Sequence, residues 1–210
     1  MLACNFGKLE DEIDLINKSE AKWFHLDVMD GIFVPNISFG TPIMKVFKKH
    51  SKKTMDVHLM IINPENYIKK FADLGSDILT VHVEASVDIN KNIEDIKSYG
   101  MKAGVAINPN TPISSIESVV TKLDLICLMS VNPGFGGQTF INNTFQKLEK
   151  LKNLLIKTKS NALIEVDGGV NEGNAKKLLD MGANILVAGN TIFKSEDPTS
   201  TISYLNSLQF

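Results

Sequence analysis

The chain has 210 residues, of which 43% are hydrophobic, and its formal net charge at pH 7 is −2. This length and composition predict a single domain over residues 1–210 with a sizeable core, and they exclude a disordered chain. No long basic run favours nucleic acid, and no apolar run is long enough to cross a bilayer. The two cysteines, Cys4 and Cys127, lie far apart without metal or redox spacing. We therefore expect a reduced, cytoplasmic protein.

Short apolar and β-branched runs alternate with segments of helical periodicity along the chain. The predicted strands are 23–28, 54–60, 77–85, 102–107, 123–131, 162–167 and 184–189. The predicted helical segments between them are 66–75, 92–100, 145–158 and 171–182, and several of them end in glycine, a common helix stop. Such alternation predicts an α/β fold with a parallel sheet.

Two architectures fit this alternation, a (β/α)₈ TIM barrel and a doubly wound open sheet. Polar residues occur at the C-terminal ends of many different strands, where barrel enzymes carry their active sites. The glycine clusters come late in the chain, whereas a dinucleotide fold carries its glycine loop after the first strand. Both features favour the barrel.

Ionisable residues interrupt strands that should otherwise be buried. His25 and Asp27 are two residues apart and therefore share a face of the first complete strand. His58 lies in the next strand, and Asp167 ends the sixth. In one parallel barrel these four side chains would point into the same mouth. Two imidazoles and two carboxylates suit one divalent ion such as Zn²⁺, Fe²⁺, Co²⁺ or Mn²⁺.

Two further ionisable residues follow the third strand. His82 is interpreted as a packed or hydrogen-bonded strand residue rather than as a ligand. Glu84 either lies at the mouth or is solvated, and the sequence does not decide between these. No lysine lies inside an apolar strand near its C-terminal end, which argues against a Schiff-base aldolase.

Three glycine-bearing loops follow successive strands late in the chain. They are NPGFGGQ at 132–138, DGGVN at 167–171 and AGNTIF at 188–193. Glycine lets backbone N–H groups approach an anion closely, and barrels bind phosphate at the loops after their last strands. The loops therefore predict a phosphate site.

The segments HLDVMDGIFVPN, DVHLMI, VHVEAS, NPGFGGQTFI, EVDGGVN and VAGNTIF occur in this order over essentially the whole chain. Together they resemble the ribulose-phosphate 3-epimerase family. The resemblance implies a (β/α)₈ barrel and an isomerase that interconverts D-ribulose 5-phosphate and D-xylulose 5-phosphate in the pentose phosphate pathway.

The resemblance also implies roles for individual residues. Asp27 and Asp167 match the acid/base pair, and with His25 and His58 they match the ligands of one divalent metal ion. The expected substrate and phosphate contacts are His58, Gly134, Gly136, Gly137, Gly168, Gly169, Gly189 and Asn190. Met29, Met60 and Met129 match methionines that line the site, although they would serve equally well as core residues.

The family's first strand ends in a Ser-x-Leu motif, whereas MLACNF begins after the position of that serine. We therefore expect a shortened first strand, in which Met1 to Ala3 pair at most briefly between the first complete strand and the last. Alternative functions are a 3-epimerase of a six-carbon ketose phosphate, a metal-dependent aldolase or a non-catalytic sugar-phosphate-binding barrel. A homo-oligomer is expected.

Overall fold

The computed structural model describes residues 1–208, and its centre is one sheet of seven parallel strands. The strands are β1 Trp23–Met29, β2 Thr54–Met60, β3 Ile78–His82, β4 Lys102–Ile107, β5 Leu125–Met129, β6 Leu163–Asp167 and β7 Ile185–Val187. Each strand pairs with the next one in sequence. The sheet curls into a nearly closed barrel, which confirms the predicted architecture.

Helices connect most of the strands and cover the outside of the sheet. They are α1 Leu9–Lys18, α2 Thr41–His50, α3 Ile68–Asp73, α4 Ile89–Ser98, α5 Thr144–Thr158, α6 Glu172–Asp180, α7 Gly189–Phe193 and α8 Pro198–Ser207. Gly75, Gly100 and Gly182 adopt positive φ just after α3, α4 and α6. These glycines end the helices in a conformation that other residues rarely adopt.

The main hydrophobic core lies between the strands and the helices. Leu26, Val57 and Leu79 on β1, β2 and β3 are wholly buried in this layer. Since side chains alternate along a strand, their neighbours His25 and His58 point into the barrel instead. The interior is therefore polar where the sheet brings these neighbours together.

The connection between β4 and β5 departs from the strand–helix alternation. It contains two short 3₁₀ segments, Ile113–Ile116 and Val120–Lys122, and no α-helix. The first of them follows Pro112, which lacks a backbone N–H. The predicted third strand is also shorter than expected, because Val83–Ala85 forms a 3₁₀ turn after β3 ends at His82.

The start of the chain forms a turn rather than the expected shortened strand. The Cys4 backbone N–H donates to the Met1 carbonyl at 3.1 Å, so this segment uses part of its hydrogen-bonding capacity locally. The Met1 amino group donates to the His25 carbonyl at 2.6 Å, and residues 1–5 form no strand. Within the described residues, β1 and β7 therefore each pair on one side only.

Candidate active site at the carboxyl ends of the strands

The four predicted metal ligands meet at the C-terminal mouth of the barrel. Asp27 lies between the two histidines, with its Oδ1 3.2 Å from both His25 Nε2 and His58 Nδ1. Asp167 Oδ2 approaches the same two nitrogen atoms at 3.8 and 3.7 Å. The parallel register explains this convergence, because Asp27 on β1 is the direct partner of His58 on β2.

The arrangement fits a metal ion. One ligand atom from each of the four residues lies within 4.8 Å of all the others. Four atoms that surround an ion at about 2.0–2.2 Å in a tetrahedron lie roughly 3.4 Å apart, close to the distances here. His25 Nε2 is buried without a hydrogen-bond partner, so a nitrogen atom that could bind a metal ion faces the centre of the four-residue cluster. Burying such a group is costly unless something binds it.

The carboxylates and histidines alter one another's pKa. Burial would lower the pKa of His25, but the charges of Asp27, Glu165 and Asp56 raise it well above its ordinary value. Burial would raise the pKa of Asp27, but His25 and His58 lower it well below its usual range. Burial and the nearby charge of Asp27 raise the pKa of Asp167. The two aspartates therefore differ in their affinity for a proton.

A second polar group lies deeper in the barrel and was not assigned a role from the sequence. Asp56 is fully buried, and its Oδ2 lies 2.6 Å from His25 Nδ1. Glu165 is also fully buried, and burial together with Asp56 raises its pKa well above the usual range. The spacing Asp56-x-His58 was a visible signal, since it places a carboxylate on the same strand face as a predicted ligand.

His82 and Glu84 do not join the four-residue cluster. His82 is wholly buried and lies against His58, with 5.0 Å between the ring centroids. Glu84 directly follows the carboxyl end of β3 and is partly buried beside His82, so it lies at the mouth end of the barrel but outside the four-residue cluster.

A cavity of about 690 Å³ opens above the cluster. Its lining includes all the glycines predicted for phosphate together with the predicted asparagine and the three methionines: Met29, Met60, Met129, Gly134, Gly136, Gly137, Gly168, Gly169, Gly189 and Asn190. Asp27 and Asp167 form part of its floor, whereas His25 and His58 lie outside the lining. Lys194 also lines the cavity and was not predicted, because a lysine in an exposed helix end carries no distinctive signal.

Two glycines in the lining are required by space as well as by backbone conformation. Gly168 and Gly169 both adopt positive φ. A Cβ at Gly169 would lie 2.7 Å from the Phe140 backbone nitrogen and 3.0 Å from the Gln138 carbonyl oxygen. The loop after β6 therefore packs directly on the loop after β5, which brings two glycine-bearing segments to one wall of the cavity.

No helix in the described part of the chain is both long and apolar enough to span a membrane.

The sequence pattern of the ribulose-phosphate 3 epimerase family matches residues 1–193. The chain belongs to this family. A Bacillus subtilis ribulose-phosphate 3-epimerase is 46% identical over 204 residues, which cover 97% of this chain and 94% of that protein. The chloroplastic ribulose-5-phosphate-3-epimerase of Arabidopsis thaliana is 42% identical, over 96% of this chain and 73% of the relative.

Solved structures share the fold at low sequence identity. KGPDC from Streptococcus mutans matches 95% of this chain and 90% of its own, with a TM-score of 0.72 and 12% identity. Orotidine 5'-phosphate decarboxylase from Pyrococcus horikoshii matches 96% and 94%, with a TM-score of 0.69 and 13% identity. These likenesses show the barrel fold alone, and the family assignment comes from the sequence.

Proposed function

We propose that the chain interconverts D-ribulose 5-phosphate and D-xylulose 5-phosphate by moving a proton at C3. The observation that carries this proposal is the position of Asp27 and Asp167. They come from β1 and β6, which are not neighbours in the sheet, and both line the floor of one cavity. Two carboxyl groups that reach one carbon from different strands suit an epimerisation, in which a proton leaves one face and another arrives on the opposite face.

The two aspartates would act as a pair. The ionised carboxylate removes the C3 proton and leaves an enediolate, and the protonated carboxyl group then gives a proton to the opposite face. The roles exchange for the reverse reaction, so each turnover begins with one aspartate ionised and the other protonated. Their titrations are coupled because they share the same small volume.

His25, Asp27, His58 and Asp167 would hold one divalent cation, and Zn²⁺, Fe²⁺, Co²⁺ and Mn²⁺ remain the candidates. When bound, such an ion polarises the substrate carbonyl and offsets the negative charge of the enediolate. Metal analysis of the purified protein, followed by reconstitution with each ion, decides among them.

The glycine-bearing wall of the cavity would bind the phosphate. Backbone N–H groups at Gly169 and Gly189, with the side chain of Asn190, are suited to an anion at a distance from the reacting carbon. Contacts there orient the sugar chain over the two aspartates, so binding energy remote from C3 contributes to the chemical step.

A coupled assay with ribulose 5-phosphate tests the proposal. We expect turnover with a divalent ion, loss of turnover after chelation, and recovery when the ion returns, while Asp27→Asn stays nearly inactive. Product analysis should show xylulose 5-phosphate and no C–C cleavage fragments. Faster turnover of a six-carbon ketose phosphate would assign that substrate instead. The absence of turnover with any tested ion would favour a non-catalytic sugar-phosphate-binding barrel.

A homo-oligomer and a cytoplasmic location stay predictions. The mass of the purified protein in solution tests the first, and fractionation of cells tests the second.

A further inference from the structure

A line of hydrogen-bonded groups runs from the ligand cluster to the loop after β4. His58 Nε2 lies 2.9 Å from His82 Nε2, and His82 Nδ1 lies 3.0 Å from Glu84 Oε2. His58 and His82 belong to the neighbouring strands β2 and β3, and both are wholly buried. The line reaches a predicted metal ligand on the side that faces away from the cluster.

Glu84, at the far end of this line, accepts hydrogen bonds through both carboxylate oxygens. The other oxygen of Glu84, Oε1, accepts from the Asn108 backbone N–H at 2.8 Å and from the Thr111 hydroxyl. Burial would raise the pKa of Glu84, but hydrogen bonds from His82, Thr111 and Asn108 lower it to about 2. Glu84 is therefore a carboxylate at neutral pH and has no proton to donate.

The direction of every other hydrogen bond in the line follows from this carboxylate. His82 Nδ1 must donate to Glu84, because a carboxylate only accepts. In a neutral His82 the single N–H is the one on Nδ1, so its Nε2 is an acceptor. His58 Nε2 must then be the donor. The remaining nitrogen, His58 Nδ1, then has a lone pair for a cation, and its 3.2 Å separation from Asp27 Oδ1 suits two ligand atoms of one ion.

We propose that Glu84 and His82 are positioning residues that fix the tautomer of His58, so that its Nδ1 lone pair faces the cation site. This inference rests on the cation site of the proposed function. Metal-bound histidines commonly donate their second N–H to an outer group that sets the tautomer and the ring orientation. Here that outer group is a second histidine, and the carboxylate acts through it.

The other histidine of the cluster has the opposite arrangement. Asp56 accepts directly from His25 Nδ1 at 2.6 Å, which leaves His25 Nε2 free toward the cluster. The two ligands therefore present different ring nitrogens, Nε2 from His25 and Nδ1 from His58. A direct carboxylate sets one tautomer, and the Glu84–His82 pair sets the other.

Three variants separate this role from a general packing role. In Glu84→Gln, the side chain can keep the Asn108 and Thr111 hydrogen bonds only with its amide NH₂ toward His82. The NH₂ then donates to His82 Nδ1, and the direction of the hydrogen bonds from His82 to His58 is reversed. In His82→Gln, the amide oxygen can accept from His58 and the amide N–H can donate to Glu84, so the direction is kept. Thr111→Val is the matched control, because it removes one partner of Glu84 without removing its charge.

Metal affinity, measured by competition with a chelator, should fall about 10–100-fold in Glu84→Gln. It should stay close to the wild-type value in His82→Gln and Thr111→Val. Thermal unfolding of each metal-free variant shows that the fold is retained. An unchanged affinity in a folded Glu84→Gln protein, or a loss in His82→Gln equal to that in Glu84→Gln, would overturn the proposal.

The ¹⁵N NMR shifts of His58 in the metal-free wild type give a second readout that does not depend on activity. We expect the proton on Nε2 in the wild type and a shift of the proton toward Nδ1 in Glu84→Gln. A proton on Nδ1 in the wild type would overturn the proposal. A protein that shows the expected tautomer but binds no metal or turns over no substrate would refute the proposed function instead.

Discussion

His25 Nδ1 lies 2.6 Å from Asp56 Oδ2, and the two residues are direct partners in the register of β1 and β2. Two residues further along the same strands, Asp27 and His58 form the next pair whose side chains point into the barrel. Carboxylate and imidazole thus alternate across two neighbouring strands. Asp27 faces the cavity, and the His25–Asp56 pair lies below it, so the support of the site is a consequence of strand register.

Replacing Asp56 by asparagine should weaken metal binding. The amide has nearly the same shape, but it loses the charge that holds the proton on His25 Nδ1. We expect an affinity about 10–100-fold lower, measured by chelator competition. Asp77→Asn is a suitable control, because the Asp77 carboxylate accepts from the Met55 N–H at the opposite end of β2. Equal affinities for the wild type and Asp56→Asn would show that His25 needs no such support.

Replacing Gly169 by alanine should weaken substrate binding without loss of metal. The new Cβ would press on the Phe140 and Gln138 backbones at a residue whose φ is +65°. A left-handed conformation costs a non-glycine residue roughly 1–2 kcal/mol. We expect the loop to relieve this strain by moving away from the phosphate, and the lost contact should raise KM roughly tenfold. Gly40→Ala is the control, because no atom lies within 4 Å of its added Cβ. A KM unchanged by Gly169→Ala would place the phosphate elsewhere.

The stability that Glu84 contributes should disappear in acid. Its pKa is about 2 in the folded protein against an ordinary value of 4.5, so the unfolded chain takes up the proton first as the pH falls. The contribution is complete above about pH 4.5 and is lost as the pH falls toward 2. Urea unfolding of the metal-free wild type and Glu84→Gln should show a free-energy difference that narrows below pH 4.5. A difference that stays constant down to pH 3 would contradict this.

Hydrogen exchange should be faster in β7 than in β5. The three residues of β7, Ile185–Val187, are partly exposed and pair only with β6 within the described chain, whereas β5 is buried between two neighbours. The amides of Leu2 and Ala3 should also exchange quickly, since this segment forms no strand. Strand β4 is the internal control and should match β5. Equal protection in β7 and β5 would mean that another segment covers the free edge.

Much of the fold and of the cluster follows from local sequence pattern. Alternation along β1 places His25 and Asp27 on one face, and the parallel arrangement brings Asp167 to the same end of the barrel. These conclusions need only strand period and direction.

The support behind the cluster could not be predicted in the same way. His82 reaches His58 through the register between β2 and β3, and Glu84 is held by Asn108 and Thr111 on a loop more than twenty residues away. The turn at Met1–Cys4 likewise depends on where the chain meets β1, which no local pattern records.

The central claim is that Asp27 and Asp167 serve opposite faces of one carbon, and proton exchange in heavy water tests it most directly. Asp27→Asn and Asp167→Asn should both nearly abolish epimerisation, since loss of an acid/base group costs about 10²–10⁴-fold. Metal content is measured alongside, because a variant without metal would be silent for another reason.

Each variant should still exchange solvent deuterium into the one epimer that its remaining carboxylate can reach. The account predicts that metal-bearing Asp27→Asn and Asp167→Asn label opposite epimers. If both variants keep their metal and label the same epimer, a single base serves both faces and the two-aspartate account is wrong.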